Sequence, residues 1–449
     1  MLVNELVLRA NASNAAAPGQ ATDANPVLRS PWFWVPTLYL AEGVPYAIIV
    51  MVSIVLYKSF EVSNARIALY TGWLSLPWVL KPLWGPVVDM LKTRRLWIWS
   101  MQLIVGAGFA AVALTLPSPH YFRYSLVILF LLAFSSATHD IAADGFYILA
   151  LAEGQQSFFS GIRNAFFRVA MISGQGLLVM LAGAVQKRTG SAVLAWQTAF
   201  ALTAGFFVAL SVYHRFILPR PADDRPGNMP FAANSAHTSI AIFRAFFQKP
   251  GIGAMLLFLL FYRFAEAQLT KMVPPFLLDP RSSGGLGLTT EQVGFVYGTI
   301  GVLALLLGGI LGGVVVSWRG LRAWLWPMVL IMHLPDAVFV YLSSAQPQNL
   351  ALIGGGVALE QFGYGFGFTA YMLYMIYMAR GGHQTAHYAI CTGFMALGLM
   401  LPGMWSGWLQ ERLGYHHFFV WVMLATIPGF IVTALIPLDA EFGKRQPKR

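Results

Sequence analysis

Gly85–Trp99 reads GPVVDMLKTRRLWIW, and Gly312–Trp326 reads GGVVVSWRGLRAWLW. Five positions match at one offset of 227 residues: Gly85 with Gly312, Lys92 with Arg319, Arg95 with Arg322, Trp97 with Trp324, and Trp99 with Trp326. Each stretch leaves one apolar run and enters the next. Basic residues and Trp are common at any membrane edge, which accounts for part of the match. It does not account for five aligned positions, so the chain reads as a duplicated unit.

Outward from these loops, almost everything is apolar. The 449 residues are 57% hydrophobic and 10% charged, against roughly 25% charged in soluble domains. So few charges cannot clothe a water-facing surface, and the 43 glycines suit close helix packing in lipid. About 20 apolar residues cross a bilayer. Twelve such runs are read, at approximately 32–57, 66–90, 96–116, 122–151, 162–186, 196–218, 251–278, 290–317, 322–343, 349–379, 384–410 and 416–437. Trp32, Trp34, Trp97, Trp99, Trp324 and Trp326 stand at run ends, where an amphipathic ring suits the headgroup zone.

The net charge of +11 follows topology. With both termini cytoplasmic, 18 of the 29 Lys and Arg fall on that side, 7 on the other and 4 inside runs. That bias is the positive-inside pattern and not a nucleic-acid surface. Residues 1–30 are polar without an apolar signal core and read as a disordered cytoplasmic tail. The expected organisation is a six-helix bundle over 31–218, a cytoplasmic linker over 219–250, a second bundle over 251–437 and a basic tail over 438–449. The fold class is therefore an all-α membrane protein of twelve helices in two bundles. A parallel repeat of this kind is the architecture of major facilitators. The single cysteine, Cys391, allows neither a disulfide nor a thiolate metal site within the chain.

Ionisable groups at bilayer depth are costly and mark function by default. Here they are Glu42, Lys81, His139, Asp140, Asp144, Arg168, Arg263, Glu266, Lys271, Asp336 and Glu360. Asp140 and Asp144 are four residues apart and share one helix face. Like charges so placed repel, which makes the pair a proton-carrying candidate, with Arg168 as the expected opposing cation. A structural salt-bridge cluster is the other reading. His139 either lines the cavity or packs against a neighbour. Arg263 and Glu266 either touch solute or neutralise each other at i,i+3. Glu360, Gln361 and Tyr364 precede an aromatic stretch that either stacks on a sugar or simply packs. Gly43 and Pro45 loosen the backbone around Glu42, as binding-site helices of carriers commonly require.

Gly85, Asp89, Lys92, Arg94 and Arg95 fit a gate. Gly85 permits close backbone approach, and Asp89 at a helix end can pair across bundles when that side is closed. Val316 replaces Asp89 in the second copy, which predicts a weaker or differently built gate there.

AEGVPY (41–46), KPLWGPVVD (81–89), SSATHDIAADGF (135–146), FRVAM (167–171), YRFAEA (262–267) and EQVGFVYGTIG (291–301) resemble the AmpG family of facilitators. The resemblance places Asp140 and Asp144 on that family's acidic positions, Lys81 on its helix-2 Lys and Arg168 on its helix-5 Arg. It implies proton-driven import of a muropeptide or related amino-sugar fragment across a bacterial inner membrane by a monomer. The expected partners are that small solute, protons and the lipid bilayer, with no nucleic acid, no cofactor and no metal. His139 and Gly145–Tyr147 depart from the family pattern beside the expected site, which leaves the cargo open. Export of a drug or metabolite, or a non-transporting sensor, are the rival readings. No nucleophile–base pairing, phosphate loop or metal-ligand spacing supports an enzyme.

Overall fold

The computed structural model describes residues 30–222, 224–225, 243–381, 384–439 and 442–443. The tail over 1–29, most of the expected linker and most of the basic C-terminal tail lie outside these. In chain order the helices are α1 (Pro31–Ser59), α2 in two pieces (Asn64–Trp73 and Leu76–Leu91), α3 (Arg94–Thr115), α4 (Tyr121–Ala150) and α5 (Glu153–Ile172, continuing through Ser173–Leu178 to Val179–Thr189). There follow α6 (Ala192–Ile217), α7 (Ile252–Leu278), α8 (Thr290–Arg319), α9 (Leu321–Ala345), α10 (Leu350–Ala379), α11 (Gln384–Leu424) and α12 (Ile427–Leu435).

Nine segments among the described residues are long and apolar enough to cross a membrane. The last of them, His387–Leu435, has 49 residues and bends at Gly414, whose φ of 72° ends regular helix there. At about 1.5 Å per residue it is long enough for two crossings. Leu114 and Phe216, 78% and 74% exposed, are among many large apolar side chains left facing outward, as lipid contact requires.

The repeat is preserved in the helix register. Arg94 opens α3 and Leu321 opens α9, again 227 residues apart. Thr93 caps α3 by accepting from Leu96 N–H at 3.2 Å, while Gly320 holds the same place with φ 83°. The glycine roles divide otherwise than expected. Among the described residues nothing stands within 4 Å of a Cβ built at Gly85, whereas one built at Gly312 meets the Phe366 carbonyl at 2.9 Å. Close approach thus belongs to the second copy, where α8 packs on α10.

Several helices are interrupted near their middles. Pro45 removes a backbone donor in α1, and a π-turn follows at Ile48–Val52, so the expected loosening beside Glu42 is present. Tyr262–Arg263 interrupt α7, and a 3₁₀ turn at Leu334–Asp336 interrupts α9 at Pro335. The fifth helix starts at Glu153 rather than near 162. Phe159, Ile162 and Phe166 carry a helical period back through the polar residues and pack into the core of the first half.

Polar bonds between the first six and last six helices gather at the face bearing the α1–α2 and α7–α8 turns. Lys58 pairs with Asp279 at 2.6 Å. Asn64 donates to Gln410 at 2.7 Å and to Tyr415 at 2.8 Å, and Tyr415 donates to Asp279 at 2.5 Å. Ala65 N–H reaches Glu411 at 2.8 Å. Deeper in, Lys271 donates to Thr71 at 3.0 Å. This latch was not foreseen, since its residues are spread over 350 positions and look like ordinary loop polarity.

At the opposite, basic face the Asp224 carboxylate accepts from Arg94 N–H at 2.8 Å and Arg95 N–H at 3.2 Å. A carboxylate is favoured at a helix N-terminus. The Arg95 guanidinium donates to the Leu218 and Arg215 carbonyls. Of these partners Arg215 and Leu218 belong to α6 and its end, and Asp224 to the linker. Lys92 is exposed at the end of α2, and the Asp89 side chain lies outside the described residues.

Candidate functional site

Two carboxylate triads converge in the bundle, one in each half. In the first, Glu42 of α1 meets Asp140 and Asp144 of α4, with an oxygen of each within 4.8 Å of the others. Edge-on contacts of Trp34 with Phe146 (5.4 Å) and Tyr39 with Tyr147 (5.8 Å) lock α1 against α4 and set this approach. Lys81 of α2 forms an ion pair with Asp140. Arg163 of α5 lies 3.0 Å from Asp144 and 4.6 Å over the Tyr39 ring, and Tyr39 donates to Asp144 at 3.2 Å. The side chains of Lys81, Arg163 and Asp144 are 31%, 33% and 34% exposed, so water reaches the cluster from a cleft. Three acids face two bases, each base bonded to one acid, and one Glu42 oxygen is buried without a hydrogen bond.

The expected cation was Arg168. The structure puts Arg163 there instead, because the longer α5 carries it into the bundle. Arg168, five residues on and roughly 140° around the helix, is near Tyr46 and Tyr364. The helical period through Phe159 and Ile162 was the signal that could have found Arg163. His139 does not line the cleft. Gln102 donates to it at 2.9 Å and accepts from His214 at 2.9 Å, and Thr37 completes the chain to His214 at 2.9 Å. This buried series ties together α4, α3, α6 and α1.

The second triad joins Glu266 of α7, Asp336 of α9 and Glu360 of α10, again within 4.8 Å of one another. Their exposures are 0%, 1% and 1%, so water does not reach them. Glu360 accepts from the Gln361 amide at 3.0 Å, while neither oxygen of Glu266 or Asp336 has a hydrogen-bond partner. Of the two readings for Arg263 and Glu266, mutual neutralisation by an ion pair does not form. At the interruption of α7 the Arg263 backbone leaves helical geometry (φ −109°, ψ 20°) and its guanidinium turns to Tyr364, donating to the hydroxyl. It lies 4.6 Å over Phe368 and 5.9 Å from the Tyr371 ring. The aromatic stretch of α10 is therefore a bed for this cation.

Membrane-spanning helices interrupted mid-course, with charged groups on a water-reached cleft and a latch between the halves at the Lys58–Asp279 end, define a membrane transporter. The chain belongs to the Major Facilitator Superfamily, whose family model matches residues 38–401. It is 24% identical over 381 residues to the anhydromuropeptide permease of Escherichia coli (strain K12), covering 83% of this chain and 74% of that one. An uncharacterized protein of Haemophilus influenzae (strain ATCC 51907 / DSM 11121 / KW20 / Rd) is 26% identical over 420 residues, covering 90% and 94%. In fold the chain is similar to the nucleoside transporter NupG, D323A mutant (TM-score 0.67, 12% identity, 90% of this chain and 99% of that one). The relatives with a named activity are permeases and transporters, not enzymes.

Proposed function

We propose that the chain is a proton-coupled importer of a muropeptide or related amino-sugar fragment in a bacterial inner membrane, working by alternating access. The observation that carries this reading is the first triad: three acids and two bases, bonded to each other yet open to water. A proton arriving at such a cluster weakens Lys81–Asp140 or Arg163–Asp144, and an anionic or hydroxyl-rich solute competes for the freed base. Binding of either then biases which face of the bundle stays latched. The size and amino-sugar character of the cargo rest on the similarity to the anhydromuropeptide permease. The basic face is taken as cytoplasmic on its Lys/Arg excess, with both termini on that side. The latched Lys58–Asp279 face is then periplasmic, and the cleft opens inward. Residues 31–218 and 251–437 serve as the two moving units, and Gly85–Arg95 as part of the cytoplasmic gate.

Counterflow in proteoliposomes with radiolabelled muropeptide and amino-sugar oligosaccharides tests the cargo. Uptake into vesicles should collapse with an uncoupler and should fall to background in Asp140→Asn at normal expression. Uptake indifferent to both removes the coupling scheme.

A further inference from the structure

We propose that Glu266, Asp336 and Glu360, with His333 beside Asp336, form a binding site for a small inorganic cation in the last six helices. The Nε2 atom of His333 lies 3.2 Å from the Tyr262 carbonyl oxygen, which can only accept. Nε2 therefore carries the hydrogen, and in the neutral ring Nδ1 is a bare lone pair. Nδ1 is buried without a hydrogen-bond partner and stands 3.7 Å from Asp336 Oδ2, another acceptor. Two acceptors facing one another at that distance, 1% and 0% exposed, repel unless a proton or a cation lies between them.

The rest of the cluster repeats the same condition. Both oxygens of Glu266 and both of Asp336 lack partners, and the ligand atoms of the three acids lie within 4.8 Å of one another. That separation is about twice the 2.0–2.6 Å metal–oxygen bonds of hard cations. Arg263 does not reach these oxygens, since it is committed to Tyr364 and Phe368. One cation satisfies carboxylates from three helices at once, with the His333 imidazole beside Asp336 at the edge of the cluster, whereas one shared proton satisfies a single pair.

The backbone supports the same assignment. The two helices that supply Glu266, His333 and Asp336 are the two interrupted beside those residues, at Tyr262–Arg263 and Leu334–Asp336. Interrupted membrane helices are the common setting for ion coordination in carriers, because unwound turns free backbone oxygens at midplane depth. The site shares no residue with the first triad.

The test is equilibrium dialysis of the purified, chelator-stripped full chain in detergent, with ²²Na⁺, ⁴⁵Ca²⁺ and ⁵⁴Mn²⁺ in separate arms and no solute. We expect saturable binding of one ion per chain in at least one arm, and the arm that responds identifies the charge class. Affinity should fall at least ~10-fold in Asp336→Asn and stay within about twofold in Asp144→Asn. Should Asp336→Asn fail to fold, Glu266→Gln carries the same expectation. Absence of saturable binding in every arm overturns the proposal, as does binding that survives Asp336→Asn or Glu266→Gln in folded protein. The measurement needs no transport, so its failure is separate from any failure of the uptake experiment.

Discussion

The two triads start from the same material and end in opposite conditions. Each gathers three carboxylates, and each draws one from the opening helix of its half, Glu42 on α1 or Glu266 on α7. In the first half two bases come with them, on α2 and α5, and the side chains of Lys81, Arg163 and Asp144 stay about a third exposed. In the second half the available base, Arg263, is turned away by the interruption of α7, and the acids are dry. A compensated, hydrated cluster can exchange partners at modest cost. An uncompensated, dry one must bind something positive or remain protonated. The duplication therefore supplied one scaffold, and the placement of bases made one copy exchangeable and the other selective.

The strongest way to break the comparison is to strip the first triad of a base. Arg163→Leu leaves Asp144 with only the Tyr39 hydroxyl and should destabilise the protein by about 1–3 kcal/mol, the value of a hydrogen-bonded charge in a partly wet site. The double variant Arg163→Leu/Asp144→Asn should recover most of that loss, read as a coupling energy in a double-mutant cycle of unfolding. Arg168→Leu should show no coupling with Asp144→Asn. A coupling through Arg168 would return the site to the arrangement expected from sequence.

The second triad should answer with the reverse sign. Glu360→Gln in chelator-stripped protein removes one of three crowded acids while preserving shape. It should raise stability by on the order of 1–2 kcal/mol, seen as a higher thermal midpoint. Loss of stability there would mean that this triad, like the first, is internally compensated. The latch gives a smaller effect. Asp279→Asn removes the ion pair to Lys58 and leaves Lys58 and Tyr415 bonded to Asn64, and should shift the equilibrium between closed and open forms of that face by about 1 kcal/mol. Native Cys391 is buried, so thiol labelling at Thr71→Cys reads this opening against a low background. Faster labelling in the Asp279→Asn background is the expected result.

Much of this was legible in the sequence, and the gaps have physical reasons. Apolar runs of about 20 residues and basic loop clusters report the solvent around each segment, so the helices and the duplicated register could be read directly. The four-residue spacing of Asp140 and Asp144 is local geometry, and it correctly put both acids on one face. Partners from other helices are not encoded in spacing. Arg163 was missed because the expected run, 162–186, put it at its first turn and so at the membrane edge, whereas a helix starting at Glu153 carries it deeper. The convergence of Glu266, Asp336 and Glu360 depends on the packing of α7, α9 and α10 and leaves no motif. The latch residues Lys58, Asn64, Asp279 and Tyr415 meet only once the halves dock.

The smallest difference between the halves sits at the aligned glycines with which the repeat begins. Among the described residues nothing stands near a Cβ at Gly85, and Ala there adds helix propensity of about 0.5–1 kcal/mol. Gly312 has the Phe366 carbonyl and the Thr369 hydroxyl each 2.9 Å from a Cβ position, and backbone cannot yield as a flexible side chain can. Gly312→Ala should therefore cost about 1 kcal/mol or more by forcing α8 away from α10. Gly85→Ala should be neutral or slightly stabilising in the same thermal assay. If Gly85→Ala instead leaves the midpoint unchanged but slows counterflow, the glycine is needed in a state where the basic face closes. Its aligned partner then records the same close approach made permanent.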